Sequence, residues 1–139
     1  MIRLYKRAVK VMKPFIENAT LEAQEAKIHE EYNEMVCAKT KTSPVKFFIA
    51  RLLPSFWFVS FYEKHIKNTK ESETADFIIA CFSNVYLKQK YEGIKLSLYS
   101  DLSFFEPVFD SAKSEEIDLP NHIKMKLRYN KLRKDWRSR

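Results

Sequence analysis

Glycine is almost absent from this chain: Gly93 is the only one among 139 residues. Phosphate-binding loops and dinucleotide-binding turns need glycine where the backbone approaches phosphate, so neither kind of site fits this sequence. Tight β-hairpin turns also depend on glycine. The scarcity of glycine therefore favours an all-α fold and argues against the common nucleotide-binding enzymes.

The side chains that usually carry catalysis or bind metals are scattered. Cys37 and Cys81 lie far apart in apolar patterns, and we expect both to be buried free thiols. His29, His65 and His122 fall in separate segments without the short spacing of metal ligands. We expect no catalytic residue, no metal, no cofactor of the chain's own and no small-molecule substrate, and hence a protein that is not an enzyme.

Hydrophobic periodicity predicts helices in the first half of the chain. Apolar residues three and four apart predict a helix from Ile2 to about Phe15, with its last turn distorted by Pro14. A second helix over 21–38 follows two candidate capping residues, Asn18 and Thr20. A third begins at Ser43-Pro44, because serine caps a helix and proline suits its first turn.

The second half is less regular. A polar linker over 67–74 is predicted to precede a helix over 75–92. Residues 94–98 alternate in polarity and are expected to form helix or extended coil, and residues 106–120 a loop. The last helix begins near Pro120 and carries one apolar stripe, formed by Met125, Tyr129, Leu132 and Trp136.

These elements suggest three units along one chain. Residues 1–66 form a three-helix bundle, 67–119 a helix with an irregular extension, and 120–139 a basic C-terminal helix. Because the first helix is basic and the second acidic, we expect the two to pack as an antiparallel pair.

The most apolar stretch, residues 47–62, is too short to cross a membrane and contains Arg51 and Pro54. We expect a helical segment on each side of the proline. The stretch holds more aromatic rings than a small core absorbs, so some should face a protein partner or the membrane interface. These are Phe47, Phe56, Trp57, Phe58 and Phe61.

The net charge of +7 is concentrated at the C-terminus. Residues 121–139 hold eight bases and one acid, so the first 120 residues have no net charge. This helix could bind acidic protein, anionic lipid or nucleic acid. Its candidate contact residues are Lys124, Arg128, Lys131, Arg133, Lys134 and Arg137.

The first third of the chain resembles the LYR-motif (complex I LYR) family of mitochondrial proteins. The triplet Leu4-Tyr5-Lys6 matches the Lys form of the family motif, and Phe15 stands nine residues later, where the family has an aromatic residue. The segment from Ile28 to Tyr32 is similar to the family's second-helix pattern, and Phe56-Trp57 to a pair in the accessory subunits of the complex I membrane arm.

The resemblance implies a non-catalytic accessory subunit of a mitochondrial respiratory complex that binds acyl carrier protein. It implies a matrix-facing place at the inner membrane among other subunits, and a basic, acid-free N-terminus suits mitochondrial import. The carrier would contact Tyr5, Lys6, Arg7 and Lys10. The acyl chain on its phosphopantetheine would enter an apolar groove formed by Val9, Met12, Phe15, Ile28 and Tyr32.

Two alternatives stay open. The chain could be an accessory subunit of another mitochondrial membrane complex without acyl carrier protein. It could also be a mitoribosomal or other RNA-associated protein in which the C-terminal cations, with Tyr129 and Trp136 among them, bind RNA. The neutral remainder of the chain disfavours a nucleic-acid partner.

Overall fold

The computed structural model describes residues 1–92, 102–103 and 105–137, with side chains for 1–91, 102–103 and 105–133. Within these ranges the chain forms helices and no strand, so the predicted all-α class is confirmed. Gly93 and the 94–98 segment lie outside the described residues. The helices are α1 (Ile2–Ile16), α2 (Leu21–Cys37), α3 (Pro44–Leu52), α4 (Ser55–His65), α5 (Lys70–Glu92), α6 (Glu106–Ser114) and α7 (Leu119–Arg137).

The helix starts in the first half follow the capping signals of the sequence. The Thr20 hydroxyl accepts a hydrogen bond from the Ala23 amide at 3.0 Å and begins α2. The Ser43 hydroxyl accepts one from the Lys46 amide at 3.5 Å, with Pro44 in the first turn of α3. Pro54 separates α3 from α4, as predicted. Each signal depends on near neighbours in the chain, and in these three places tertiary packing leaves it unchanged.

The predicted linker over 67–74 is wrong because most of it is the first turns of α5. The Thr69 hydroxyl accepts from the Ser72 amide at 3.3 Å, and Glu71 and Glu73 lie where the helix dipole favours acids. The Glu71 carboxylate also accepts from the amide of Thr42 at 2.7 Å. The fold thus provides partners for buried Thr69 and Glu71, whereas Glu73 keeps one buried oxygen without a partner.

The predicted antiparallel pairing of α1 with α2 is also wrong. The two helices share no substantial interface, and each packs on α5. α2 runs antiparallel to α5: the Tyr91 hydroxyl donates to the carbonyl of Ala19 at 3.1 Å, and Gln24 donates to the carbonyl of Ala80 at 3.0 Å. Exposed ion pairs contribute about 0–1 kcal/mol each. Charge complementarity between α1 and α2 is therefore too weak to determine helix pairing.

Two further expectations are corrected. The predicted loop over 106–120 contains α6, because Pro107 lies in its first turn, where no backbone N–H is needed. Cys37, at the end of α2, is exposed, whereas Cys81 on α5 is buried and burial raises its pKa to about 11. A helix end near an exposed connection has fewer neighbours than the middle of α5.

Two apolar clusters hold the helices together, and α7 contributes to both. The larger lies between α1, α5 and α7 and includes Leu4, Ala8, Ala75, Ile78, Ile79, Phe82, Leu119, Ile123 and Leu127. The smaller joins α3 and α4 to α7 through Ala50, Phe58, Tyr62, Ile66, Met125 and Tyr129. Helix contacts therefore cross both of the unit boundaries suggested by the sequence.

Phe82 is fully buried in the larger cluster, against the rings of Tyr5 and Phe105. We expect Phe82→Ala to lower the free energy of unfolding by about 3–5 kcal/mol, as other buried Phe→Ala changes do. Urea unfolding followed by circular dichroism measures the change. Phe48→Ala is the matched control: its ring is 61% exposed, so its loss should change stability by less than about 1 kcal/mol.

Candidate functional site

The exposed face of α1 is cationic. Successive residues turn by about 100° around a helix, so five bases fall on one side while Leu4 and Ala8 point into the core. These bases are all exposed: Arg3, Lys6, Arg7, Lys10 and Lys13. The predicted contact residues Lys6, Arg7 and Lys10 are thus available to a partner.

Tyr5, the fourth predicted contact residue for a carrier protein, is not exposed. Its side chain is 5% exposed, its hydroxyl donates to the Gln89 side chain at 3.4 Å, and its ring meets Phe82 edge-on. Tyr5 is therefore a core residue that anchors α1 on α5, and the prediction that it contacts a carrier protein is wrong. Of its two neighbours in the motif, Leu4 is buried in the core and Lys6 is exposed.

α7 lies beside α1 and continues the cationic surface. One depression is lined by Arg3 and Arg7 together with Lys124, and a second by Lys10, Arg128 and Lys131. The order of these pairs shows that the two helices run in the same direction. We call the six residues Arg3, Arg7, Lys10, Lys124, Arg128 and Lys131 the cationic strip.

Among the side chains that the structure describes, acids reach the strip at one end only. Glu106 and Asp110 of α6 line the first depression, whereas no described acid lines the second. Leu4 and Leu127 are buried beneath the bases, whereas half-buried Val11 and exposed Pro14 line the second depression and make its floor partly apolar. The strip thus combines two rows of positive charge with apolar surface, the combination that an acidic amphipathic helix fits.

Arg128 is held in position by Phe58 of α4 and by Leu53, which precedes that helix. Its guanidinium donates to the carbonyl of Leu53 at 2.7 Å and lies 4.1 Å from the centre of the Phe58 ring. Burial lowers the pKa of Arg128. Of the other predicted tail contacts, Arg133 is half-buried over the Tyr129 ring, and the side chains of Lys134 and Arg137 lie outside the described residues.

A groove of about 800 Å³ opens between α1, α2, α5 and α7. Met12 and Phe15, predicted to line an acyl-chain groove, do line it, but Val9, Ile28 and Tyr32 do not. Val9 packs against the larger core instead, and the Tyr32 ring meets Phe77 edge-on. The groove has an apolar part near the end of α1 and a charged part beyond it.

The groove and the cationic strip lie on different sides of α1. At 100° per residue Met12 is about 140–200° around the helix from Arg3, Arg7 and Lys10, and Phe15 is about 80–140° from them. A partner seated on the strip is therefore separated from the groove by the helix itself. The structure does not unite the carrier contact and the acyl groove as the family resemblance implies.

The charged part of the groove contains a cluster of three carboxyl groups. One carboxylate oxygen from each of Glu31, Glu73 and Asp76 lies within 4.8 Å of the others. Lys126 is the counter-ion, with its ammonium 3.1 Å from Asp76 and above the Tyr129 ring at 4.9 Å. One oxygen each of Glu31 and Glu73 is buried without a hydrogen-bond partner.

Burial and mutual repulsion change the protonation of this cluster. Burial and then the Asp76 charge raise the pKa of Glu31 and of Glu73 to about 7. Burial also raises the pKa of Asp76, against the opposing effect of Lys126. Carboxyl oxygens are ligands for hard cations, but here protonation and Lys126 already reduce the negative charge.

Sequence reasoning missed this cluster because its members come from two helices distant in the chain. A signal was present: α2 and α5 each carry a pair of acids three residues apart, Glu31 with Glu34 and Glu73 with Asp76. Such pairs are ordinary on exposed helices. Only the antiparallel packing of α2 on α5 brings them together.

The predicted partner-facing aromatic residues divide into two groups. Phe58 is fully buried, Phe61 is half-buried, and Phe47 stacks on the ring of His122 at 4.1 Å. For these three the predicted exposure is wrong or reduced, because α3 and α4 turn them towards α7. Phe56 and Trp57 remain 76% and 60% exposed.

Comparisons of the chain with protein-family models, with curated protein sequences and with solved structures find no match. The resemblance of α1 to the LYR motif accordingly stays a prediction. Among the described helices, none has both the length and the apolar character needed to span a membrane.

The raised pKa of Glu73 predicts how stability depends on pH. The folded protein keeps a proton up to about pH 7 that the unfolded chain loses near its ordinary value of 4.5. The stability linked to Glu73 is therefore complete below pH 4.5 and is lost as pH rises through 7. We expect Glu73→Gln to be more stable than the wild type above pH 7, with the difference shrinking below pH 4.5.

Thermal unfolding of both proteins on either side of this range measures the effect. Burial lowers the pKa of His122 to about 4, which gives an opposite pH dependence, but that contribution is common to both proteins and cancels. Glu25→Gln, on the exposed face of α2, is the control and should leave the profile unchanged. A Glu73→Gln profile parallel to that of the wild type would contradict the assignment.

Proposed function

We propose that the chain is a non-catalytic accessory protein that binds an acidic protein partner through the cationic strip. The observation that carries this proposal is the convergence of bases from both ends of the chain, on α1 and α7, into one surface. Separate surface ion pairs contribute little. Several cations in two fixed rows give orientation and faster association with a partner of opposite charge.

The geometry favours a helix as the binding element of the partner. Each row places bases at positions i, i+4 and i+7, which spans about 10 Å at 1.5 Å per residue. An acidic helix lying between the rows could meet charges on both sides and place its apolar residues over Val11 and Pro14.

The resemblance to the LYR-motif family identifies mitochondrial acyl carrier protein, with its acidic recognition helix, as the partner to test first. In this proposal the chain is an accessory subunit of a respiratory complex of the complex I kind. It faces the matrix at the inner membrane among other subunits. Exposed Lys6 and Lys13, flanking the strip on α1, extend the surface open to such a carrier.

The acyl chain is assigned a smaller part than the family resemblance implies. A carrier on the strip faces away from the groove, and much of that groove is lined by carboxyl groups. Burying methylenes against unpaired carboxyl groups loses the usual gain of about 0.8 kcal/mol per methylene. We therefore expect acylated and unacylated carrier protein to bind with similar affinity.

We predict that Arg7→Glu/Lys10→Glu weakens the binding of mitochondrial acyl carrier protein by at least roughly tenfold, because attraction becomes repulsion at the centre of the strip. Isothermal titration calorimetry at low and moderate salt measures this. The control, Lys39→Glu/Lys41→Glu, reverses two exposed bases on the connection between α2 and α3, away from the strip. It should leave the affinity within about twofold of wild type.

Unchanged affinity in the strip variant, or an absence of carrier binding by the wild type, would refute the carrier as the partner. Salt-sensitive RNA binding that the strip variant abolishes would favour the RNA-associated alternative. The structure weakens that alternative, because the Tyr129 ring is 1% exposed and cannot stack on a base. Copurification from mitochondrial membranes without a carrier would favour an accessory subunit that binds no carrier.

A further inference from the structure

The α3–α4 elbow, residues 44–65 around Pro54, exposes an unusual amount of apolar surface. Phe56 is 76% exposed, Leu52 is 70% exposed and Trp57 is 60% exposed. The full set of large exposed apolar side chains on the elbow is Val45, Phe48, Ile49, Leu52, Phe56 and Trp57. So many large exposed apolar side chains within one short segment of a small protein mark an interaction site.

We call these six exposed side chains the apolar stripe. Val45, Phe48, Ile49 and Leu52 have the i, i+3, i+4, i+7 spacing that places them on one face of α3. Phe56 and Trp57 follow in the first turn of α4, after the break at Pro54, and their ring centres lie 6.2 Å from each other. Exposed apolar side chains thus stand on both sides of the proline.

The orientation of the stripe is determined by packing on its other side. Ala50, Phe58 and Tyr62 are buried against Met125 and Tyr129 of α7 in the smaller core. The elbow therefore cannot turn its exposed rings inwards without emptying that core. The outward face is a fixed property of this fold.

The chain segment that carries the stripe is strongly basic. Residues 38–69 contain six bases and a single acid, Glu63, giving a formal charge of +5. Glu63 also accepts a hydrogen bond from the Tyr129 hydroxyl at 2.7 Å. The bases are all exposed: Lys39, Lys41, Lys46, Arg51, Lys64 and Lys67. At 100° per residue, Lys46 and Arg51 flank the stripe on α3 on either side.

We propose that the elbow is a membrane-docking device that lies in the headgroup region of an anionic bilayer. Its six apolar side chains would enter the boundary of the acyl chains, and the surrounding lysines and arginine would meet lipid phosphates. α3 has nine residues and α4 eleven, fewer than the roughly 20 that a span needs. The elbow therefore lies along the surface of one leaflet.

The positive charge of the elbow favours an anionic bilayer over a second copy of the chain as its binding partner. Two elbows packed face to face would bring together two segments of formal charge +5, with Glu63 already engaged in each. An anionic bilayer matches both the positive charge and the apolar stripe. This inference uses residues outside the cationic strip and does not rest on the proposed carrier binding.

The test uses the full chain with Trp136→Phe, which leaves Trp57 as its only tryptophan. Vesicles of phosphatidylcholine alone and vesicles containing phosphatidylglycerol are compared by flotation and by quenching of tryptophan fluorescence with brominated lipid. We expect flotation with the anionic vesicles and quenching of Trp57. Phe56→Ser/Leu52→Ser should reduce the bound fraction by at least roughly tenfold, and both residues are too exposed for these changes to unfold the protein.

Charge reversals separate the elbow from the strip. Lys39→Glu/Lys41→Glu should weaken vesicle binding roughly tenfold, since each base near an anionic surface contributes measurably. Arg7→Glu/Lys10→Glu, the matched pair on the strip, should weaken it far less. Vesicle binding without quenching of Trp57, or binding lost only in the strip variant, would overturn the proposal. Dimerisation through the elbow, or its burial by a protein subunit without any vesicle binding, would overturn it as well.

Discussion

The burial of polar residues at the start of α5 is the constraint on which much of this structure depends. Glu71, Ser72 and Glu73 are all nearly inaccessible, followed one turn later by Asp76, and each buried polar group is costly without a partner. Those partners come from every side of the helix. Thr42 donates to Glu71, Tyr62 and Ser72 share a hydrogen bond of 2.8 Å, and Lys126 pairs with Asp76.

These contacts explain the arrangement of the other helices. The connection between α2 and α3 must pass close to Glu71, α4 must bring Tyr62 to Ser72, and α7 must present Lys126 to Asp76. The apolar clusters then supply most of the stabilisation, since hydrophobic burial is the larger energy. The polar contacts select one arrangement of helices among those that would bury similar apolar area. Glu73 keeps a buried oxygen without a hydrogen-bond partner, so this end of α5 is not fully satisfied.

α7 connects the three surfaces on which the proposals rest. Lys124 and Lys131 project to the cationic strip, Lys126 and Asn130 line the groove, and Tyr129 packs under the α3–α4 elbow. A helix that is polar overall can do this because different sides meet different neighbours. A carrier on the strip and a bilayer on the elbow would engage separate residues, so the two proposed contacts do not compete for the same side chains.

The sequence by itself determined the all-α class, the starts of α2 and α3, the break at Pro54 and the cationic face of α1. Each depends on near neighbours in the chain: a capping hydroxyl, a missing N–H, or residues one turn apart. Only the tertiary structure decided that α1 packs on α5 and α7, that Tyr5 is buried, and that the carboxyl cluster of Glu31 and Glu73 exists. These features join residues tens of positions apart, and local pattern carries no information about which helix faces meet. The cationic strip depends on both sequence and tertiary structure. Its two rows of bases can be read from the sequence, but their alignment side by side arises only from the packing of α1 against α7.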